Sequence, residues 1–92
     1  MKSFEYDPKK SKSNEEKHGI DFEEAKELWK DINAVEFKTQ FLEEDRYIVI
    51  GRINDKNWTA VITYRDETIR IISVRRPRKK EIEWYENQNN NS

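Results

Sequence analysis

A single α+β domain is what this sequence predicts, and three observations lead there. Helix-forming stretches come first, four extended stretches joined by short polar turns follow, and another helical stretch closes the chain. Three Trp, four Tyr and four Phe among 92 residues supply bulky core material, although charged residues reach 40% and hydrophobic ones only 34%. Short turns between extended stretches imply antiparallel neighbours. The expected arrangement is an antiparallel β-sheet with two N-terminal helices packed on one face and a short C-terminal helix. That domain spans residues 1–86, and residues 87–92 read as a disordered polar tail.

Phe4-Glu5-Tyr6 alternates like a short strand. Asp7-Pro8 then reads as a helix N-cap followed by proline at the first helical position, where its missing N–H costs nothing. Gly19 is a natural stop, because glycine readily takes the left-handed conformation that closes a helix. Within this polar helix Lys10, Asn14, Lys17 and His18 are spaced to share one face. Asp21 with Glu24 resembles a capping box. Behind it Phe22, Ala25, Leu28, Trp29 and Ile32 form an apolar stripe at helical spacing.

Strands are expected over residues 34–39, 46–53, 57–65 and 68–75, with turns at Asn54-Asp55-Lys56 and Asp66-Glu67. A two-residue turn at Asp66-Glu67 sets Arg65 opposite Thr68 and sorts the side chains by face. One face receives Trp58, Ala60, Ile62, Tyr64, Ile69, Ile71, Ser73 and Arg75, and should meet the helices. The other receives Thr59, Val61, Thr63, Arg65, Arg70, Ile72, Val74 and Arg76, and makes Arg65 and Arg70 diagonal neighbours. A slip of one residue would reverse both faces. Pro77 starts a last helix that carries Glu81, Ile82 and Tyr85.

The formal net charge of −1 hides an asymmetry. Residues 65–80 hold seven basic side chains against Asp66 and Glu67, whereas residues 15–31 hold seven acidic ones against Lys17, Lys26 and Lys30. The fold should therefore carry one anion-attracting face and one acidic face, with nucleic acid or an acidic protein segment as partner for the first. The absence of cysteine excludes disulfides and thiolate metal sites. Neither a signal-peptide pattern nor a long apolar run occurs, so a cytoplasmic protein without membrane contact is expected.

Two segments carry the chemistry. Lys17-His18-Gly19 places the chain's one imidazole at a helix C-terminus, which favours cations. Arg70-Ile71-Ile72-Ser73-Val74-Arg75-Arg76 concentrates arginines on a strand. Titratable imidazole with forked guanidinium donors suits work on a phosphodiester. Asp21, Glu23, Glu24 and Glu27 suggest a hard-metal site at first glance, but their spacing fits a capped, solvated helix better. No metal and no other cofactor is expected.

In order and spacing these segments resemble the BrnT family of bacterial toxins, small ribonucleases related in fold to the RelE toxins and neutralised by a cognate antitoxin. The matching positions run from Phe4 to Tyr85. They are Phe4, Asp7, Lys10, Asn14, Lys17-His18-Gly19-Ile20, Phe22-Glu23-Glu24-Ala25, Arg46, Gly51, Arg65, Arg70-Ile71-Ile72-Ser73, Arg75-Arg76, Glu81 and Tyr85. Tyr6 stands where the family often has Trp, Val74 where Ala is usual, and Pro77 where a small residue is common. The resemblance implies a RelE-like fold and a toxin that inhibits translation by cutting RNA. It also implies a ribbon-helix-helix (BrnA-like) antitoxin as partner, and operator DNA bound only through the complex.

RNA cleavage without a metal needs a base for the 2′-hydroxyl proton, cations for the phosphorane and an acid for the departing 5′-oxygen. His18 can serve as acid or base, and Lys17, Glu81 and Tyr85 remain open for the base. Arg65, Arg70 and Arg75 would clamp the phosphate. Lys10, Arg46, Arg76, Arg78, Lys79 and Lys80 would attract the RNA backbone, with Trp58, Trp84 and Tyr85 available to stack on a base. The alternative is a non-catalytic RNA- or protein-binding module, a degenerate toxin scaffold in which the same cations hold a ligand without chemistry.

Overall fold

The computed structural model describes residues 3–39 and 45–90. In chain order these form β1 (Ser3–Glu5), α1 (Pro8–His18), α2 (Phe22–Ala25) running straight into a 3-10 segment (Lys26–Lys30), β2 (Val35–Thr39), β3 (Arg46–Ile53), β4 (Lys56–Arg65), β5 (Thr68–Arg75) and α3 (Lys79–Asn90). One five-stranded sheet has the order β1-β5-β4-β3-β2. It is mixed rather than antiparallel throughout, because β1 joins β5 in parallel while β2 to β5 form the expected meander. Parallel pairing follows from α1 and the rest of the chain intervening between β1 and β5.

Local chemistry accounts for the helix ends. Asp7 accepts a hydrogen bond from the Lys9 N–H at 2.9 Å, Pro8 opens α1, and Gly19 closes it at φ +80° with its N–H donating to the Glu15 carbonyl. Asp21 caps α2 through the Glu24 N–H at 2.8 Å. The second helix is shorter than its apolar stripe suggested. After one α-turn it tightens to 3-10 and ends at Asp31, whose carboxylate accepts the N–H groups of Asn33 and Arg52. Ile32 is consequently 96% exposed and lies outside the core.

Both tight hairpins use a polar residue in the left-handed region, Asn54 at φ 55° and Asp66 at φ 58°. The first loop is two residues long, since β4 already begins at Lys56 opposite Ile53. At the second, Arg65 does pair with Thr68, and Thr63 with Arg70. Farther along β5 the ladder slips: Ile62 faces Ile71, but Val61 faces Ser73, leaving Ile72 as a β-bulge. The extra residue reverses the faces beyond it. Val74 comes to lie opposite Ala60 in the core, and Arg75 lies opposite Thr59 on the other side, correcting the placement of Ser73, Val74 and Arg75 expected from strict alternation.

The main core lies between the sheet and the N-terminal segments, where Ile20, Phe22, Ala25 and Leu28 meet Val49, Trp58, Ala60, Ile62, Ile69, Ile71 and Val74. Gly51 permits this approach, since an added Cβ would come within 3.0 Å of Leu28 Cδ2. A smaller cluster on the opposite face seats Tyr85 of α3 against Ile48 and Ile50. The last helix begins at Lys79, two residues after Pro77, and continues to Asn90, so residues 87–90 are helical and not the disordered tail that their polar composition suggests. Asn89 ties that end down by donating to the carbonyls of Asn33 and Tyr85. Among the described residues, no helix is long and apolar enough to cross a membrane.

Candidate functional site

The lone imidazole sits in an open groove where α1 ends against β5. Lys10, Ser13, Asn14, Lys17, His18, Ile72 and Ser73 line about 200 Å³ of space. The α1 spacing thus brings Lys10, Asn14, Lys17 and His18 to one face, and the bulge brings Ile72 and Ser73 to meet it. Lys10, Lys17 and His18 are exposed, and the last two occupy the final turn of α1, where the helix dipole favours positive charge.

Asn14 forms the wall of this groove and is 7% exposed. Its Nδ2 donates to the Ile20 carbonyl at 2.8 Å, and its Oδ1 accepts from the Val74 N–H at 3.1 Å. That N–H follows the bulge on a stretch of β5 which β1, ending at the level of Arg70, does not reach. One side chain therefore joins helix, loop and strand around His18.

The arginines are distributed differently from the sequence expectation. Arg70 ion-pairs with Glu5, its neighbour across the parallel ladder, at 2.8 Å. Arg75 forms a forked pair with Glu81 at 2.7 and 2.9 Å. Arg65 is exposed beside the hairpin turn. None of these three lines the His18 groove, so convergence of the imidazole with the strand guanidinium groups is not what the structure arranges. Arg76 does not line that groove either. Its guanidinium stacks 5.1 Å from the Trp58 ring centroid and donates to the Asn57 carbonyl, and Trp58 lines a separate cleft with Gly19.

Two other sequence-derived candidates are engaged within the fold. Burial would raise the Glu81 pKa, but Arg75, the Arg78 N–H and the Thr59 hydroxyl together outweigh it and hold the carboxyl down at about 2. Tyr85 is buried, and its hydroxyl donates to Asp31 Oδ2 at 2.8 Å; burial and that carboxylate both raise its pKa. Asp31 also accepts from the Arg52 and Asn33 N–H groups, so it ties together the 3-10 segment, β3 and α3. Sequence reasoning passed over Asp31 because it looked like one more acid in a charged run; its place before Ile32-Asn33 was the available signal.

Lys79 and Lys80 are exposed at the start of α3, with the exposed Arg78 just before it, and Arg46 opens β3 opposite Thr39. Of the three stacking candidates, Trp58 and Tyr85 are buried, whereas Trp84 is 36% exposed and tilted against Phe37. A larger groove, about 650 Å³, lies elsewhere, lined by Glu24, Glu27, Lys30, Asp31, Arg52 and Tyr85. Its three carboxylates outnumber Lys30 and Arg52 and oppose a phosphate chain, so size is a poor guide to the site here. Among the described residues no three or more His, Cys, Asp or Glu side chains are grouped to hold a metal ion.

Fold and groove together define a small α+β protein whose accessible imidazole and ammonium groups share one surface site, a donor set suited to anionic ligands. The chain belongs to the BrnT family: the model described as "Ribonuclease toxin, BrnT, of type II toxin-antitoxin system" matches residues 6–81. It is accordingly a toxin of such a system, with ribonuclease activity, an RNA target and an antitoxin partner. Comparison with curated proteins gave no match.

Proposed function

We propose that the groove at the end of α1 is where RNA is cut, by attack of a ribose 2′-hydroxyl on the adjacent phosphorus. The observation that carries this reading is the presence of His18, Lys10, Lys17 and Ser73 in one open groove. Lys17 as the neutral amine takes the 2′-hydroxyl proton, His18 donates a proton to the departing 5′-oxygen, and the Lys10 ammonium offsets the charge on the phosphorane. Arg76, stacked on Trp58, serves to attract the RNA backbone outside the groove. Of the three candidate bases Lys17, Glu81 and Tyr85, only Lys17 lines the groove. The products are a 2′,3′-cyclic phosphate and a 5′-hydroxyl end.

Arg65, Arg70, Arg78, Lys79 and Lys80 then serve the path of the RNA away from the scissile bond, and Glu81 with Arg75 holds α3 on the sheet. The likeness in fold to RelE toxins, the ribbon-helix-helix character of the antitoxin, and operator binding through the complex belong to the same reading, supported by the family membership.

The test is cleavage of a single-stranded RNA by purified protein in EDTA. Cutting should persist without divalent metal and fall at least about 100-fold in His18→Ala, the scale of a lost general acid. RNA left whole by the wild type, or cut equally fast by His18→Ala, would remove the groove as the site.

A further inference from the structure

We infer that Asn14 is the positioning residue for His18, an inference that rests on reading the α1 groove as the cleavage site. Beyond Pro8, α1 carries no apolar side chain, and its two buried residues are Ser11 and Asn14. Its buried face is therefore polar, and among the described residues Ser11 and Asn14 tie it to the rest of the fold. Ser11 Oγ accepts the Phe22 N–H at 2.9 Å and fixes α1 to the start of α2. Asn14 ties α1 to β5 by accepting the Val74 N–H, and also holds the chain just past His18, through Ile20. His18 thus lies between one residue that Asn14 grips and the strand that Asn14 grips with its other end.

The bulge and Asn14 form one device. Ile72 breaks the regular ladder and precedes the Val74 N–H that Asn14 Oδ1 accepts. An amide presents its donor and its acceptor on two separate atoms, which is what the Ile20 carbonyl and the Val74 N–H require. Aspartate keeps the acceptor for Val74 but sets an oxygen against the Ile20 carbonyl. Alanine loses both bonds.

Asn14→Ala, Asn14→Asp and Ser11→Ala separate positioning from mere support, since all three loosen α1 but only the first two break bonds of Asn14, both of them in alanine and the one to Ile20 in aspartate. With single-stranded RNA as substrate, the Asn14 variants should lose about 10- to 100-fold in kcat with KM within about twofold, the scale of a misplaced reacting group. Ser11→Ala should lose stability yet keep kcat within about twofold, because its bond lies away from the groove. His18 is the one histidine, so its imidazole NMR signals are read without overlap. They should shift in Asn14→Asp and answer inorganic phosphate more weakly, while Ser11→Ala leaves them as in the wild type. Should Asn14→Ala fail to fold, Asn14→Asp decides. Full activity in a folded Asn14 variant beside an inactive His18→Ala would overturn the positioning alone, as would equal kcat losses in Ser11→Ala and the Asn14 variants. Wild-type activity in His18→Ala would overturn the site and the positioning together.

Discussion

Glu81 illustrates how one side chain can look catalytic in a sequence and be structural in space. Its carboxylate is 5% exposed and meets Arg75, the Arg78 N–H and the Thr59 hydroxyl. Its pKa is held at about 2, below the ordinary 4.5, so its stabilisation is complete above pH 4.5 and is lost as the pH falls toward 2. Glu81→Gln leaves the Arg75 charge without a partner and should cost about 3 kcal/mol at pH 7. Urea titrations should show that difference shrinking below pH 4.5; a pH-independent difference would contradict the ion-pair account. Tyr85→Phe removes one of three donors to Asp31 and should cost about 1 kcal/mol, read in the same titration, with RNA cleavage by the folded variant unchanged.

At the scale of elements, the protein combines a helix held by polar ties with a sheet whose register shifts once. Asp7→Ala removes the α1 cap and should cost about 1 kcal/mol by thermal unfolding. Gly51 faces Leu28 of the 3-10 segment at close range. Gly51→Ala pushes a methyl group to 3.0 Å from Leu28 and should cost about 1–3 kcal/mol, because β3 is paired on both sides and cannot retreat. A neutral Gly51→Ala would mean that the 3-10 segment yields instead. The bulge at Ile72 has no glycine or proline to announce it. Alternation was therefore a sound guide to β4 and to β5 as far as Ile71, and misleading for the three residues after the bulge. The same shift separates Arg75 from the helix side and delivers it to Glu81.

For the whole molecule, a net charge of −1 conceals two unlike surfaces. In the 650 Å³ groove Glu24, Glu27 and Asp31 outnumber Lys30 and Arg52, while Lys10, Lys17 and His18 share one face of α1 and Arg78, Lys79 and Lys80 are exposed at the start of α3. RNA affinity should therefore fall with salt despite the negative total. For single strands the slope of log K against log salt changes by about 0.7 per phosphate contact, so Lys79→Gln with Lys80→Gln should flatten it by about 1.4 if both touch the backbone. Fluorescence anisotropy of labelled RNA would measure this. An unchanged slope would place the strand elsewhere.

Sequence alone determined what depends on near neighbours: the Asp7-Pro8 start and Gly19 stop of α1, the four-strand meander, the Arg65–Thr68 hairpin register, and the sharing of one face by Lys10, Asn14, Lys17 and His18. These follow from capping, turn chemistry and helical period, which act over a few residues. Tertiary structure decided the rest: β1 lying parallel beside β5, the bulge that turns Arg75 away and Val74 inward, and the pairing of Glu81 with Arg75 and of Tyr85 with Asp31. Each of these joins residues through space, where burial compels every polar group to find a partner and packing chooses which one. Two of the three arginines expected around His18, Arg70 and Arg75, were claimed by carboxylates that only the fold brought within reach.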